Sequence, residues 1–276
     1  MELQQGKIGV FDSGFGGLTI LKNIVQQLPQ YSYMYLGDNA RSPYGSRSFD
    51  TVYQYTWQAV EWFFSKGCNL VIIACNTASA KALRNIQQNN LPKLHPSKRV
   101  LGVLRPTTEI IGSFSKSNHI GILATHGTVI SNSYVIEINK FFPQIKVYQQ
   151  ACPMWVPLIE NNEHLSNGAD YFIEKYCNQL LAQNNNIDTV LLACTHYPLL
   201  AEKIKQYLPN SINLITQGSI VANSLEQYFK KHTALESLCS KNNSIEFYTT
   251  DSSDDFNTKA SIFWGSKVQS TTIHLT

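Results

Sequence analysis

Two cysteines lie in closely similar settings, each at the end of an apolar, β-rich segment. The sequence VIIA precedes Cys75, and VLLA precedes Cys194. Loops at the carboxyl ends of buried strands often carry the reactive groups of α/β proteins. A thiol there can act as a base or nucleophile when a helix amino terminus or a neighbouring cation favours its ionised form. The repeated setting predicts one site with two facing sulfurs, although buried cysteines also serve as simple core residues.

Polar residues beside the predicted strand ends complete the candidate site. Asp12 and Ser13 lie in a glycine-rich turn, where they can cap a helix or hold a substrate carboxylate. His196, two residues after Cys194, can take or share a thiol proton. Ordinary turns and helix caps also use these residue types, so both interpretations stay open. The other candidates for the pocket or for substrate contact are Tyr44, Gly45, Asn76, Thr77 and Thr195.

Short apolar β-rich segments alternate with longer helical ones along the chain, which predicts parallel sheets flanked by helices. Strands are predicted at 7–11, 32–36, 70–74, 99–103, 119–124, 144–149, 189–193, 211–215 and 245–249. Helices are predicted at 17–28, 48–66, 78–89, 107–115, 128–141, 168–183, 198–207 and 218–231. The segment after residue 232 is expected to return a strand and a helix to the first part of the fold.

A faint internal repeat indicates how these elements are organised. KIGVFDSG, which begins at Lys7, resembles HIGILATH, which begins at His119, and the two cysteine strands recur at a similar offset. Each half of the chain thus begins with an Ile-Gly strand and later presents an Ala-Cys pair. We predict an α/β fold of two pseudo-symmetric lobes, each a mostly parallel sheet flanked by helices, with the active site in the cleft between them.

Composition narrows the classes of function. The 276 residues are 43% hydrophobic but only 15% charged, against about 25% in an average domain. The net charge of +3 comes without a dense stretch of Lys and Arg, so neither nucleic acid nor a membrane surface is an expected partner. A small polar substrate suits this surface better.

The expected compartment is the cytoplasm. The amino-terminal residues are polar, and no apolar run approaches the roughly 18 residues of a membrane helix. A reducing compartment keeps thiols free. The six cysteines include no C-x-x-C pair, and the seven histidines show no ligand spacing. We therefore expect no metal site and no disulfide framework.

The motifs together resemble those of the glutamate racemases, which belong to the wider aspartate/glutamate racemase group. In chain order they are DSGFGG from Asp12, PYG from Pro43, CNTAS from Cys75, ATHGT from Ala124 and CTHYPLL from Cys194. The resemblance covers residues 7 to about 230. It implies two lobes with the second inserted into the first, residues 1–102 plus 215–276 and residues 103–214.

The resemblance also implies a mechanism and a biological role. It implies a racemase without a cofactor or metal, expected to be a homodimer, that supplies D-glutamate for peptidoglycan. Cys75 would deprotonate D-glutamate with the help of Asp12, and Cys194 would deprotonate L-glutamate with the help of His196. The residues implied in holding the carboxylates and the amino group are Asp12, Ser13, Tyr44, Gly45, Asn76, Thr77, Thr125, Thr128, Thr195 and His196.

Some sequence features differ from the glutamate racemase motifs, and the roles of two residues stay open. Thr216-Gln217-Gly218 stands where many relatives have an Asp-Ser/Pro-Gly turn, which puts regulation and dimer packing in question. Glu160 resembles a position near the site, while the role of His126 stays open.

The rival functions are an aspartate racemase and a catalytically idle binding protein. The Cys-Asn-Thr and Cys-Thr-His-Tyr-Pro motifs favour glutamate, and a purely binding protein would not need paired acid and base.

Overall fold

A computed structural model describes residues 5–275 of the chain, and within them ten strands form two sheets. All pairings in both sheets are parallel. The strands are β1 (Ile8–Asp12), β2 (Tyr33–Gly37), β3 (Leu70–Ile73), β4 (Arg99–Gly102), β5 (His119–Ala124), β6 (Lys146–Ala151), β7 (Thr189–Ala193), β8 (Asn213–Ile215), β9 (Ile245–Thr249) and β10 (Ser270–Thr272).

Helices connect the strands, as parallel pairing requires. They are α1 (Leu18–Gln27), α2 (Phe49–Ser65), α3 (Asn76–Lys81), α4 (Leu83–Asn85), α5 (Leu91–Leu94), α6 (Leu104–Thr108), α7 (His126–Ser131), α8 (Ser133–Phe141), α9 (Trp155–Glu160), α10 (Asn167–Leu181), α11 (Ala201–Tyr207), α12 (Gly218–Lys231), α13 (Thr233–Glu236) and α14 (Ser253–Trp264). Short 3₁₀ segments lie at Asn39–Arg41, Tyr44–Ser46, Ile111–Phe114 and Tyr197–Leu200, and a π-helical turn at Ile86–Asn90.

The two sheets share one strand arrangement. The first has the order β10-β9-β2-β1-β3-β4, and the second has the order β6-β5-β7-β8. The four strands β2-β1-β3-β4 thus correspond one by one to β6-β5-β7-β8, and each cysteine follows the third strand of its set. The predicted fold of two similar α/β lobes is confirmed.

The exact residues at which the chain passes from one lobe to the other stay a prediction. Strands of the first sheet come from residues 8–102 and 245–272, and strands of the second from residues 119–215. The predicted division begins at residue 1 and ends at residue 276, and residues 1–4 and 276 lie outside the described part of the chain.

The strand order creates a crevice at the carboxyl end of each sheet. From β1 the chain continues to β2 on one side, and β3 then pairs on the other side of β1. The connections that follow β1 and β3 diverge there, and such points are where open α/β sheets bind ligands. The same reversal occurs at β5 and β7. Asp12, Cys75, Thr125 and Cys194 lie at the ends of these four strands or within two residues after them.

The core joins the two lobes. Strands β1, β3 and β7 are buried along their whole length, as expected for parallel strands covered on both faces. One apolar cluster includes Val10 of the first sheet, Val103 between the sheets and Leu191 of the second sheet. A second cluster fills the space between the first sheet and α2, around Phe11 and Phe63. The lobes therefore share a continuous apolar core.

Several predicted elements differ in detail. The helix predicted at 107–115 is observed as the end of α6, which stops at Thr108, and a separate 3₁₀ segment at Ile111–Phe114. The helix predicted at 78–89 is interrupted after Lys81 and passes through a π-helical turn, and the helix predicted at 128–141 divides at Asn132. Asn132 has a φ of 53°, a left-handed conformation that Asn tolerates better than most residues. The C-terminal segment adds β9 and α14 as expected, but β10 was not predicted, because a three-residue strand shows no alternation.

We expect Asp188→Asn to lower the free energy of unfolding by about 2 kcal/mol, the scale of hydrogen bonds to a charged group. Asp188 precedes β7, and its carboxylate accepts hydrogen bonds from the N–H groups of Lys116 and Ser117, both at 2.7 Å. Burial alone would raise the pKa of Asp188, but these bonds and those from Ser115 and Thr189 lower it to about 2.

The sign of the pH dependence follows from this depressed pKa. The contribution is present above the ordinary value of 3.8 and is lost as the pH falls through about 2. Urea unfolding of both proteins at several pH values measures it, with the exposed Asp254→Asn as the control. Equal unfolding free energies for wild type and Asp188→Asn at neutral pH would contradict the prediction.

Candidate active site

The carboxyl ends of the two sheets open onto one cavity of about 110 Å³. Cys75 reaches it from the loop after β3, and Cys194 from the loop after β7. The volume is small beside the roughly 300–1,000 Å³ of sites for drug-sized ligands, so the cavity suits a small molecule. Its walls are formed by Ser13, Ser42, Pro43, Tyr44, Gly45, Ser46, Cys75, Asn76, Thr77, Thr125, His126, Cys152, Pro153, Val156, Pro157, Cys194, Thr195 and His196.

Cys75 is a buried thiol at the start of α3. Its Sγ accepts a hydrogen bond from the N–H of Ala78 and donates one to Ser13 Oγ, both at 3.5 Å. Burial is the main cause that raises the pKa of Cys75 to about 12, and the charge of Asp12 adds to it. The expectation that the helix amino terminus favours the thiolate is therefore outweighed here by desolvation. Cys75 carries its proton at neutral pH and can donate it.

Asp12 lies behind the cavity wall, with no exposed surface. Its Oδ2 accepts the N–H of Gly14 at 3.0 Å, and its Oδ1 accepts the hydroxyl of Thr195 at 3.3 Å. Burial raises the pKa of Asp12, while the charge of His196 opposes the rise. Its hydrogen bonds thus reach the Cys194 loop, whereas its link to Cys75 is electrostatic. The assistance of Asp12 to Cys75 stays a prediction.

His196 lies between a thiol and a carboxylate. Its Nδ1 is 3.9 Å from Cys194 Sγ, and its Nε2 is 3.0 Å from Glu160 Oε1. Burial alone would lower the pKa of His196, but the interactions with Cys194 and Glu160 outweigh it and raise the pKa to about 10. The imidazole is therefore a cation at neutral pH.

The glycine-rich turn after β1 allows the close approach of this cluster. A Cβ at Gly16 would lie 2.3 Å from Thr195 Oγ1 and 2.4 Å from His196 Nδ1. Any side chain at this position would displace the side chains of Thr195 and His196. The DSGFGG motif therefore contributes to the site in two ways. Its polar groups form hydrogen bonds, and the absence of a side chain at Gly16 leaves space for Thr195 and His196.

Three threonine hydroxyls form a cluster beside the cavity. Thr77 Oγ1 is 2.9 Å from Thr125 Oγ1 and 3.4 Å from Thr128 Oγ1, and the last two are 3.1 Å apart. Thr125 also caps α7 by accepting the N–H of Thr128. Thr77 and Thr125 line the cavity, whereas Thr128 is fully buried and does not. The structure therefore brings together hydroxyl groups from both lobes.

Tyr44 is held by a carboxylate that the sequence analysis missed. Its hydroxyl donates to Asp38, which has no exposed surface and also accepts from Arg41 Nε at 2.7 Å and from Thr250 Oγ1 at 2.8 Å. The ring of Tyr44 forms part of the cavity wall beside Gly45. A charged residue directly after a buried strand is the signal that would have found Asp38.

The comparisons with known proteins agree with this geometry. A model of the Asp/Glu/Hydantoin racemase family matches residues 8–225. The chain belongs to this family. It is 37% identical to a glutamate racemase of Carnobacterium sp. (strain St2) over 263 residues, which cover 94% of each chain. The racemase is thus similar to its relatives over nearly its whole length.

Solved structures give the same result for the fold. A crystal structure of a glutamate racemase isoform from Bacillus anthracis superposes with a TM-score of 0.88 at 31% identity and covers 98% of both chains. A glutamate racemase from Francisella tularensis in complex with D-glutamate superposes with a TM-score of 0.87 at 30% identity, again over 98% of both chains. The predicted family and the predicted class of enzyme, an amino-acid racemase, are confirmed.

Several neighbours of the cavity were not resolved by sequence reasoning. Glu160 contacts His196 directly, which the sequence left uncertain. His126 and Cys152 both line the cavity.

Within residues 5–275 no group of three His, Cys, Asp or Glu side chains is arranged to hold a metal ion. No helix in the same range has the length and apolar character needed to cross a membrane.

His196→Gln tests the electrostatic role of the imidazole in the racemase. The folded pKa of about 10 lies above the ordinary value of 6.5, so the stabilisation is full below 6.5 and is lost as the pH rises to about 10. We expect the difference in unfolding free energy between wild type and His196→Gln to shrink over this range. Urea unfolding measures it, with the exposed His274→Gln as control; a difference that does not change with pH would exclude the charged imidazole.

Proposed function

We propose that the racemase interconverts L- and D-glutamate through proton transfer by Cys75 and Cys194, without a cofactor. The observation that carries the proposal is that two thiols from different sheets line one small cavity. A single base returns a proton to the face from which it came, so inversion is most simply achieved by a base and an acid on opposite faces of the α-carbon. The names of the similar proteins support glutamate as substrate.

The two thiols take different roles in the direction from L- to D-glutamate. Cys194, beside the cationic His196, removes the α-proton of L-glutamate. Cys75 holds its proton at neutral pH and donates it to the opposite face. In the reverse direction Cys75 removes the α-proton of D-glutamate with the help of Asp12, and the proton of Cys194 is delivered with the help of His196. Each turnover therefore exchanges the states of the two thiols.

Preorganised donors would stabilise the carbanion that forms between the two proton transfers. The amide of Asn76 lines the cavity and would bind the substrate before and after proton transfer, and the hydroxyl groups of Ser13, Thr77 and Thr125 line the cavity as well. Such groups stabilise developing negative charge when they are fixed in a site that excludes water. Tyr44, Gly45, Thr128, Thr195 and His196 would complete the contacts or support them, as the resemblance implies.

The wider biological assignment follows from the same resemblance. We propose that the enzyme acts in the cytoplasm, supplies D-glutamate for peptidoglycan and forms a homodimer. The lobe division at residues 102/103 and 214/215 belongs to the same proposal. Aspartate is the alternative substrate, and a direct comparison of the two acids decides between them.

Chiral chromatography of L- and D-glutamate, and of both enantiomers of aspartate, tests the proposed reaction. We expect wild type to racemise glutamate and to prefer it over aspartate. Cys75→Ala and Cys194→Ala should each lose racemisation by at least about 100-fold, the scale of general acid–base catalysis. Cys68→Ala, which truncates a buried thiol outside the cavity, is the matched control and should remain active.

Proton exchange in heavy water separates the two half-reactions. Because each thiol faces one side of the α-carbon, we expect Cys75→Ala to exchange the α-proton of L-glutamate alone and Cys194→Ala that of D-glutamate alone. Mass spectrometry of the recovered substrate measures the deuterium. Full racemisation by either variant, or turnover of wild type without deuterium at the α-carbon, would rule out the two-thiol mechanism.

A further inference from the structure

Three buried side chains form a closed ring of hydrogen bonds next to the Cys75 loop. Asn76 Nδ2 donates to Gln217 Oε1 at 2.8 Å, Gln217 Nε2 donates to the hydroxyl of Tyr134 at 2.8 Å, and Tyr134 donates to Asn76 Oδ1 at 2.5 Å. Asn76 and Gln217 are each 2% exposed, and Tyr134 is fully buried. Every member both donates and accepts within the ring, so changing one member affects the other two.

A backbone carbonyl fixes the direction of the hydrogen bonds in the ring. Gln217 Nε2 also faces Val103 O at 3.3 Å and Thr107 Oγ1 at 2.9 Å. The carbonyl oxygen can only accept, so the nitrogen of the Gln217 amide must face it and the oxygen must face Asn76. Tyr134 is then left to donate to Asn76. The amide of Asn76 is oriented from outside the cavity, by groups that do not line it.

The position of Gln217 in the chain gives the ring a further property. Gln217 follows β8, where the chain leaves the second sheet, and Val103 follows β4, where the chain leaves the first. Asn76 begins α3 of the first lobe, and Tyr134 lies on α8 of the second. One side chain therefore connects both crossovers between the lobes to the residue that directly follows Cys75.

We propose that Gln217 is a positioning residue that sets the orientation of the Asn76 amide at the cavity. An Asn side chain offers two N–H donors and two acceptor sites. The ring uses one of each, which leaves one donor and one acceptor in fixed positions for the cavity that Asn76 lines. Without Gln217 the amide can rotate by half a turn and exchange its donor for its acceptor. The substrate would then meet a mixture of two arrangements.

The proposal rests on the proposed racemisation of glutamate, and Gln217→Met is its principal test. Met has a similar length but neither donates nor accepts, so the ring opens. We expect KM for both enantiomers to rise about tenfold, the effect of losing one oriented hydrogen bond, while kcat changes less. Racemisation assays with each enantiomer measure both constants. If Gln217→Met remains folded and KM rises for neither L- nor D-glutamate, the proposal is overturned.

Two further variants separate positioning from simple support of the fold. Thr107→Val removes another buried partner of Gln217 at the same crossover but leaves Val103 O as acceptor and the ring intact. We expect it to leave KM unchanged. Tyr134→Phe should reproduce the rise in KM, and the double variant with Gln217→Met should be little worse than either single one, because both remove the same ring. Additive effects would contradict a shared action on Asn76.

A spectroscopic measurement distinguishes failure of this inference from failure of the proposed function. The side-chain amide resonances of ¹⁵N-labelled protein can be observed without substrate, and Asn76→Asp identifies those of Asn76. We expect Gln217→Met to shift them and to speed their exchange with water, whereas Thr107→Val should not. Unchanged Asn76 resonances in Gln217→Met would overturn the inference even if wild type racemises glutamate. If wild type does not, the resonances still decide whether Gln217 orients Asn76.

Discussion

The burial of the His196 cation between Cys194 and Glu160 is the interaction on which the rest of the site depends. A buried charge is costly unless it is paired and hydrogen-bonded, and here both ring nitrogens have partners. The cation also requires neighbours that keep water out without crowding it. Gly16 provides room on one side, and the ring of Phe263 from α14 meets the imidazole edge-on at 5.3 Å. Elements of the first lobe thus enclose a catalytic candidate of the second.

The fold is nearly symmetric, but the chemistry of its two thiols is not. Both follow the third strand of equivalent four-strand sets. Cys75 has a hydroxyl and a backbone N–H for partners and a pKa raised to about 12 by burial, whereas Cys194 has a cationic imidazole beside it. The two thiols therefore lie in unequal electrostatic environments. The repeat thus places both thiols at equivalent strand ends, and the residues around each thiol make their environments different.

The sequence predicts those parts of the structure that local patterns determine. The central strands were recognised because they are continuous apolar segments, and the motif loops follow them directly. The contacts of Asp38 with Thr250, of Glu160 with His196 and of Gln217 with Asn76 were not predicted. Each joins residues that are distant in sequence, and a single polar residue has no periodicity that indicates its partner. Local chemistry is thus readable from the chain, whereas the pairing of buried polar groups requires the fold.

The contacts between the two lobes are distributed unevenly around the site, whose two thiols are only 5% exposed. At the cavity the lobes meet through single hydroxyl contacts, such as Thr77 with Thr125 and Thr195 with Asp12. Each such bond contributes only about 1 kcal/mol net. At the crossovers the lobes share a continuous apolar core and the ring around Gln217. The lobes therefore pack more extensively at the crossovers, where Gln217 lies, than through the hydroxyl contacts at the cavity.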